Sequence, residues 1–283
     1  MNFKKGYIVV RKSYGKDVVF VIDKIIKRKN NKSYAILKGL TIRIKADAPV
    51  EDLEIASKHE IENSLKKLEE IIRKRAENIN VLEKEKCGIA KISNLKRYRE
   101  VLYKGKILHL DGDRKYMEKA IRYYKQLGLN AIVKNIPENK QPMLVERLLE
   151  RYKPDILVIT GHDSMIKDGA EFNNIYNYRN SRYFIQTVNL ARKWQPDMNK
   201  LVIFAGACQS YFEAIIMAGA NFASSPGRIL IDFVDPLIVA EKVATTDKNT
   251  IITIEQITKE IREGGASIGG TSAKGKMEKI IVK

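Results

Sequence analysis

A cysteine and a histidine stand at matching points of two apolar runs. The first run, Ile156 to Ile159, leads through Thr160 and Gly161 to His162 and Asp163; the second, Leu201 to Ala205, leads through Gly206 and Ala207 to Cys208, Gln209 and Ser210. If both runs are buried parallel strands, their carboxyl ends share one sheet edge, where a thiol nucleophile and an imidazole base can meet. Cys208 would attack a carbonyl and His162 would take the proton and return it to the leaving group. Gly161 lets the first strand turn sharply, and Asp163 is a candidate orienting group for the ring. The amides of Cys208, Gly206, Ala207 and Gln209 are candidate oxyanion donors, and the small Gly206 and Ala207 leave room for a substrate backbone. Ser210 and Glu213 have the spacing of a capping box, which predicts a helix just past the thiol whose positive end lowers the thiol pKa. Taken singly, each residue has a plainer reading: Cys208 a small buried hydrophobe, His162 an idle loop imidazole.

A second constellation, His109-Leu110-Asp111-Gly112-Asp113, also closes an apolar run. An Asp-x-Asp at a strand end can hold magnesium or act on phosphoryl groups. Here no Ser or Thr follows at a suitable spacing, and Arg114 and Lys115 follow at once. The segment therefore reads as a strand-to-helix turn with Asp113 as helix N-cap. There is no phosphate-binding glycine loop. Neither metal nor cofactor is expected, and Gly264-Gly265 and Gly269-Gly270 predict a mobile loop.

These residues need elements to hold them. With 283 residues, 44% of them hydrophobic, the chain can build one sizeable core plus a small module. No apolar stretch is long enough to span a membrane, and Met1 to Gly6 lacks the apolar region of a secretory signal, so an intracellular home is expected. Cys87 and Cys208 cannot make a disulfide framework; Cys87 reads as an inert thiol. The formal net charge is +18, and residues 1–50 alone carry thirteen Lys and Arg against Asp17, Asp23 and Asp47. That field suits nucleic acid, an anionic surface or acidic proteins without choosing among them.

Along the chain, short apolar stretches at Tyr7 to Val10, Val18 to Ile26, Ser33 to Leu37 and Leu40 to Ile44 alternate with turns at Gly15, Asn30-Asn31 and Gly39. They predict a small SH3-like antiparallel barrel over residues 1–55. Ile61, Leu65, Leu68, Ile72, Ile79 and Leu82 then recur at helical spacing, predicting a helical linker over 56–99. Residues 100–283 read as an α/β domain of alternating strands and helices. Strands are expected at 107–111, 131–136, 156–160 and 201–205, and helices at 114–127, 143–152 and 183–194, forming a parallel sheet with its reactive groups at the strands' carboxyl ends.

The longer segments that carry these residues resemble a known family, the sporulation-specific YabG proteases of endospore-forming bacteria. The likeness lies in Val10 to Tyr14, Gly105 to Asp113, Tyr152 to Asp163, and Leu201 to Ser210 continuing into Gly219 to Pro226, and it spans nearly the full chain. The resemblance implies a cysteine endopeptidase, made in the mother-cell cytoplasm, that trims spore-coat and cortex-associated proteins, with His162 and Cys208 as its dyad. More distantly, His and Cys on two successive strand ends look like the caspase and gingipain type of fold. That fold implies a first specificity pocket near Asp232 and Asp235, and a preference for basic residues would need a carboxylate there or at Asp111 or Asp113. The reading from another class is a nucleic-acid-binding or scaffold protein of the coat with a vestigial site.

Overall fold

The computed structural model describes residues 3–27, 32–86, 89–93, 96–166 and 171–282. Five strands build an antiparallel N-terminal sheet: β1 (Ile8–Arg11), β2 (Phe20–Lys27), β3 (Ser33–Gly39), β4 (Lys45–Pro49) and β5 (Leu53–Ile55), ordered β4-β3-β2-β1-β5. Alternation turns Val9, Phe20, Ile22, Ala35, Leu37, Ala48 and Leu53 into one cluster. The expected turn at Asn30-Asn31 lies outside the described residues.

Leu40 to Ile44 is not the barrel strand its alternation predicts. The Gly39 amide donates to the Ile44 carbonyl at 2.9 Å and the Ile44 amide to the Ile42 carbonyl at 2.8 Å, a tight turn that throws Arg43 out of the sheet. Its main-chain partner lies far along the chain. Ile42 bridges Asp232 in antiparallel fashion, the Arg43 amide donates to the Ile231 carbonyl at 3.1 Å, and the Phe233 amide donates to the Thr41 carbonyl at 3.1 Å.

A capping box formed by Ser57 and Glu60 starts α1 (Lys58–Lys86). Its Leu68, Ile71, Ile72, Ala76 and Ile79 pack on the main core. The helix ends at Lys86, and β6 (Ile89–Ser93) and β7 (Lys96–Tyr103) then pair as a hairpin across the end of the 56–99 segment. Cys87 lies outside the described residues.

The alternating part then follows: β8 (Ile107–Asp111), α2 (Arg114–Gln126), β9 (Ala131–Asn135), α3 (Gln141–Tyr152), β10 (Ile156–Thr160), α4 (Ser181–Trp194), β11 (Val202–Ala205), α5 (Phe212–Met217), β12 (Phe222–Ser224) and α6 (Asp235–Thr245). The chain ends with β13 (Ile251–Thr253), α7 (Ile254–Thr258), β14 (Ile268–Gly270), β15 (Ser272–Lys274) and β16 (Glu278–Val282). The large sheet is ordered β14-β12-β11-β10-β8-β9 and is parallel except for β14, which runs antiparallel to β12 at one edge. The fold is thus mixed α/β. Glycines expected in a mobile loop are partly in this edge strand, where a Cβ on Gly269 would meet the Phe212 ring at 2.7 Å. β16 joins the β6-β7 hairpin, and β13 pairs with β15.

Continuous apolar runs fill the central strands because both faces are covered. Ile107, Ile156, Val158, Val202 and Phe204 face α2 and α6, whereas Leu108, Leu110, Leu157, Ile159 and Ile203 face α3 and α4. Among the described residues no helix is long and apolar enough to cross a membrane.

α1 is locked to this body by charge as well as packing. Arg75 Nε donates to Glu241 at 2.5 Å and its Nη2 to Glu260 at 2.8 Å, while Tyr123 OH donates to the same Glu241. Breaking a buried pair strands its partner, so Arg75→Ala is expected to lower the unfolding free energy by about 3–5 kcal/mol in urea titrations. A loss well under about 1 kcal/mol would mean that Glu241 is hydrated instead.

Candidate active site

Register places the chemistry. β10 pairs with β11 from Ile156↔Val202 to Ile159↔Ala205, and with β8 up to Thr160↔Asp111. The ladder runs one step beyond the strands, since the Gly206 amide donates to the Ile159 carbonyl and the Gly112 amide to the Thr160 carbonyl, both at 3.0 Å. The loops bearing Asp111 and Asp113, His162 and Asp163, and Cys208 therefore leave the sheet side by side.

His162 is held on three sides. Its Nε2 is 2.9 Å from Asp113 Oδ2, its amide donates to Glu138 Oε1 at 2.7 Å, and its carbonyl accepts from Asn180 Nδ2 at 2.7 Å. The Tyr116 ring meets the imidazole edge-on with centroids 5.7 Å apart. An Nε2–H donating to the carboxylate leaves the lone pair on Nδ1, which is buried and without a partner among the described residues. A Cβ at Gly161 would lie 2.3 Å from Glu138 Oε1, so a larger residue there would displace the carboxylate that holds the His162 amide.

Asp113 does two jobs with its two oxygens. Oδ1 caps α2 by accepting from the Lys115 and Tyr116 amides, as the sequence predicts, and Oδ2 takes His162 and Lys38, the latter at 2.6 Å. Burial opposes its ionisation, but the hydrogen bonds and charges of His162 and Lys38 outweigh burial and hold the carboxyl well below the usual range. His109 is not part of the site: it is buried in the core between Tyr124 OH and Thr160 Oγ1, and burial drives its pKa down to about 3, so it is neutral.

Asp163 turns away from the ring. Its Oδ1 accepts from the Ser164 and Asn180 amides, and its Oδ2 from the hydroxyls of Ser181 and Ser210. Ser210 Oγ in turn accepts from the Ala207 amide at 2.9 Å. One buried carboxylate thus ties the histidine loop to the cysteine loop. Burial raises its pKa to about 6, against the pull of these hydrogen bonds. Ser210 is consequently not the helix cap its spacing with Glu213 predicts; α5 begins at Phe212, and its N-cap Tyr211 makes no side-chain cap.

Cys208 is 1% exposed. Its Sγ lies 2.7 Å from the Arg43 carbonyl oxygen and accepts from the Ile231 amide at 3.3 Å. Burial lifts the thiol to about 12, against the Ile231 hydrogen bond and the charge of Arg43, so the lowering expected from a helix end is overridden. Gly206 has φ +114°, and a Cβ there would sit 2.4 Å from Ser224 Oγ. Of the amides around the sulfur, Gly206 is spent on Ile159, Ala207 on Ser210, and Gln209 on the Ile229 carbonyl and Ser225 Oγ.

Between the two loops lies a residue that sequence reasoning missed. Arg43, fully buried, donates from Nη2 to Asp111 Oδ2 at 2.5 Å and points Nη1 at the Gly161 carbonyl at 3.5 Å. Its guanidinium stacks over Tyr116, 4.8 Å from the centroid. Burial raises and Arg43 lowers the Asp111 pKa, with the guanidinium and its neighbours prevailing. Asp232 and Asp235 do not reach this guanidinium. Asp235 accepts from the Asp232 amide and Ser267 Oγ and is raised by burial to about 7; Asp232 lies 3.6 Å from Arg262. Polar residues in an alternating apolar stretch normally mark a solvent face, so nothing local marked Arg43, and Glu138 likewise carried no motif.

The family model of the YabG peptidase U57 matches residues 4–281. The chain is 38% identical over 282 residues to the sporulation-specific protease YabG of Bacillus subtilis strain 168, covering 97% of this chain and 96% of that one. No solved structure matches it at a significant level.

The Asp163 tie predicts a pH signature. A carboxyl raised by burial stabilises the fold while protonated; that contribution is full below the unfolded pKa near 4 and is lost as pH rises through about 6. The destabilisation caused by Asp163→Asn should therefore be largest below about pH 4 and shrink by about 3 kcal/mol toward neutrality. Denaturant titrations across that range check it; a pH-independent difference contradicts it.

Proposed function

Because this chain belongs to the YabG peptidase U57 family and is therefore a peptidase of a sporulation protease family, we propose that it is a cysteine endopeptidase using Cys208 and His162. The observation that carries the reading is the pairing of β10 with β11, which brings both residues off adjacent parallel strand ends, with Asp113 holding the imidazole so that Nδ1 is left to take a proton. Cys208 loses its proton to Nδ1 and attacks the substrate carbonyl. The oxyanion is received by the Cys208 amide, since the Gly206, Ala207 and Gln209 amides are already engaged. The leaving amine takes the proton from His162, and water releases the acyl group from sulfur. Asp113 is a positioning residue for His162.

Asp111 supplies the carboxylate that a preference for basic residues requires: it lies at the base of the site, pairs with a guanidinium, and is flanked by Tyr116. Asp232 and Asp235 serve the turn that shapes the opposite wall.

The wider reading has three parts: an SH3-like barrel at residues 1–55, a linker at 56–99, and a caspase-like peptidase domain at 100–283. The basic N-terminal part would retain the enzyme at the forming coat in the mother cell, where spore-coat and cortex-associated proteins are its substrates. A scaffold with a vestigial site is the second reading, and the sealed thiol is the observation in its favour.

Peptide hydrolysis separates them. Cys208→Ala and His162→Ala should abolish cleavage of short Arg-containing peptides, and Asp113→Asn should lower kcat by about a hundredfold or more with KM held. Asp111→Asn should lower kcat/KM for Arg peptides by about thirtyfold or more while leaving neutral peptides less affected. Hydrolysis surviving in Cys208→Ala would refute the mechanism; an unchanged Arg preference in Asp111→Asn would refute the pocket.

A further inference from the structure

The N-terminal sheet reaches the histidine of the site through one lysine. In β3, Ala35 and Leu37 turn into the core of that sheet, so Lys38 falls on the opposite face, where a lysine ordinarily extends into solvent. Its side chain is instead only 20% exposed, and its Nζ lies 2.6 Å from Oδ2 of Asp113, a side chain that is 1% exposed. That oxygen is the one His162 Nε2 approaches at 2.9 Å. Two donors from distant parts of the chain therefore share a single buried oxygen. Asp23, at a register shift of β2 between Ile22 and Lys24, lies 3.8 Å from the same lysine.

Sharing that oxygen constrains the charge of the ring. A lone carboxylate beside an imidazole favours the imidazolium, which has no lone pair left to accept a thiol proton. An ammonium on the same oxygen opposes this, because two like charges held so close repel strongly away from bulk water. Other charged groups near the ring are engaged elsewhere. Glu138 holds the His162 amide, Asp111 is matched by Arg43, and Asp163 is bound by Ser181 and Ser210. Lys119 gives its Nζ to the Leu40 carbonyl, and Lys115 is exposed and offers Asp113 its main-chain amide. Burial keeps the Cys208 thiol protonated. Lys38 is thus the cation placed to balance Asp113.

Resting on the cysteine peptidase reading above, we propose that Lys38 is a positioning residue of the same centre: the N-terminal sheet supplies the cation that balances Asp113, so that Asp113 orients His162 as a neutral base. The groups then form one line, Cys208, His162, Asp113 and Lys38. Asp113 fixes the ring through Nε2–H, and Nδ1 keeps its lone pair for the thiol proton. Once that proton has moved, the imidazolium faces a carboxylate already shared with an ammonium and gives the proton up to the leaving amine. The N-terminal sheet is therefore part of the chemistry as well as a module beside it.

The test measures kcat/KM for a short Arg-containing peptide against pH in the full-length chain. Wild type and Lys38→Arg, which keeps the cation, are expected to share one acid limb. Lys38→Met should carry that limb upward by about one pH unit, a loss of about tenfold at pH values on the limb, and approach wild type on the plateau above it. Lys38→Gln, which keeps a neutral donor for Asp113 should the Met variant fail to fold, should shift the limb in the same direction. In an Asp113→Asn chain neither replacement should move it further. NMR titration of the His162 ring in Cys208→Ala, with Lys or Gln at position 38, reads the same shift without turnover. A loss by one factor at every pH, with limb and ring titration unmoved, would mean that Lys38 only docks the sheet, and overturns the inference while leaving the dyad standing. Absence of any Cys208-dependent hydrolysis in wild type and variants alike would instead bring down the peptidase reading and this inference with it.

Discussion

The Arg43–Asp111 ion pair is the constraint around which the molecule is arranged. Both side chains are fully buried, and neither can stay so alone: removing one partner of such a pair strands a charge at a cost of about 3–5 kcal/mol. The pair joins the N-terminal sheet to the end of β8. Asp111 extends the connection, because its carboxylate also accepts from the Asp113 amide at 2.8 Å and from Thr160 Oγ1 at 3.2 Å. One carboxylate thereby sets the turn that delivers Asp113 to His162, touches the strand leading to His162, and holds the residue whose carbonyl lies on Cys208. Position of the loop, ring and thiol follow from it together.

Around that pair the site is built from buried carboxylates with opposed tendencies. Asp111 and Asp113 meet cations and titrate low; Asp163 and Asp235 meet hydroxyls and amides and are raised by burial. The first two do electrostatic work on Arg43 and His162. The second two are architectural: Asp163 spans two loops through Ser210, and Asp235 fixes the turn beside Ile231. Position relative to a cation, rather than depth of burial, separates the two roles.

Much of the α/β frame was legible because its strands are covered on both faces. The runs 107–111 and 156–160 match β8 and β10, and the helices after them fall within a few residues of their predicted bounds. The N-cap role of Asp113 was also legible, being a local exchange between a side chain and the amides two and three residues on. Other local signals were diverted by longer-range partners. Ser210 and Glu213 have the spacing of a cap, but Asp163 and Ala207 bind the hydroxyl first. A helix end should have lowered the thiol pKa, but α5 spans six residues and the thiol is sealed, so burial dominates.

By itself the sequence determined the alternation of strands and helices, the strand-end positions of Cys208 and His162, and the family to which they belong. These depend on periodicity and on contiguous motifs. What faces those residues was decided only in three dimensions. The alternation over Leu40 to Ile44 announces an extended backbone and cannot announce its partner, since a β ladder closes equally well on a neighbour or on a strand nearly two hundred residues away, as at Ile42↔Asp232. That choice placed Arg43 over Asp111, and with it the carbonyl of Arg43 against the thiol.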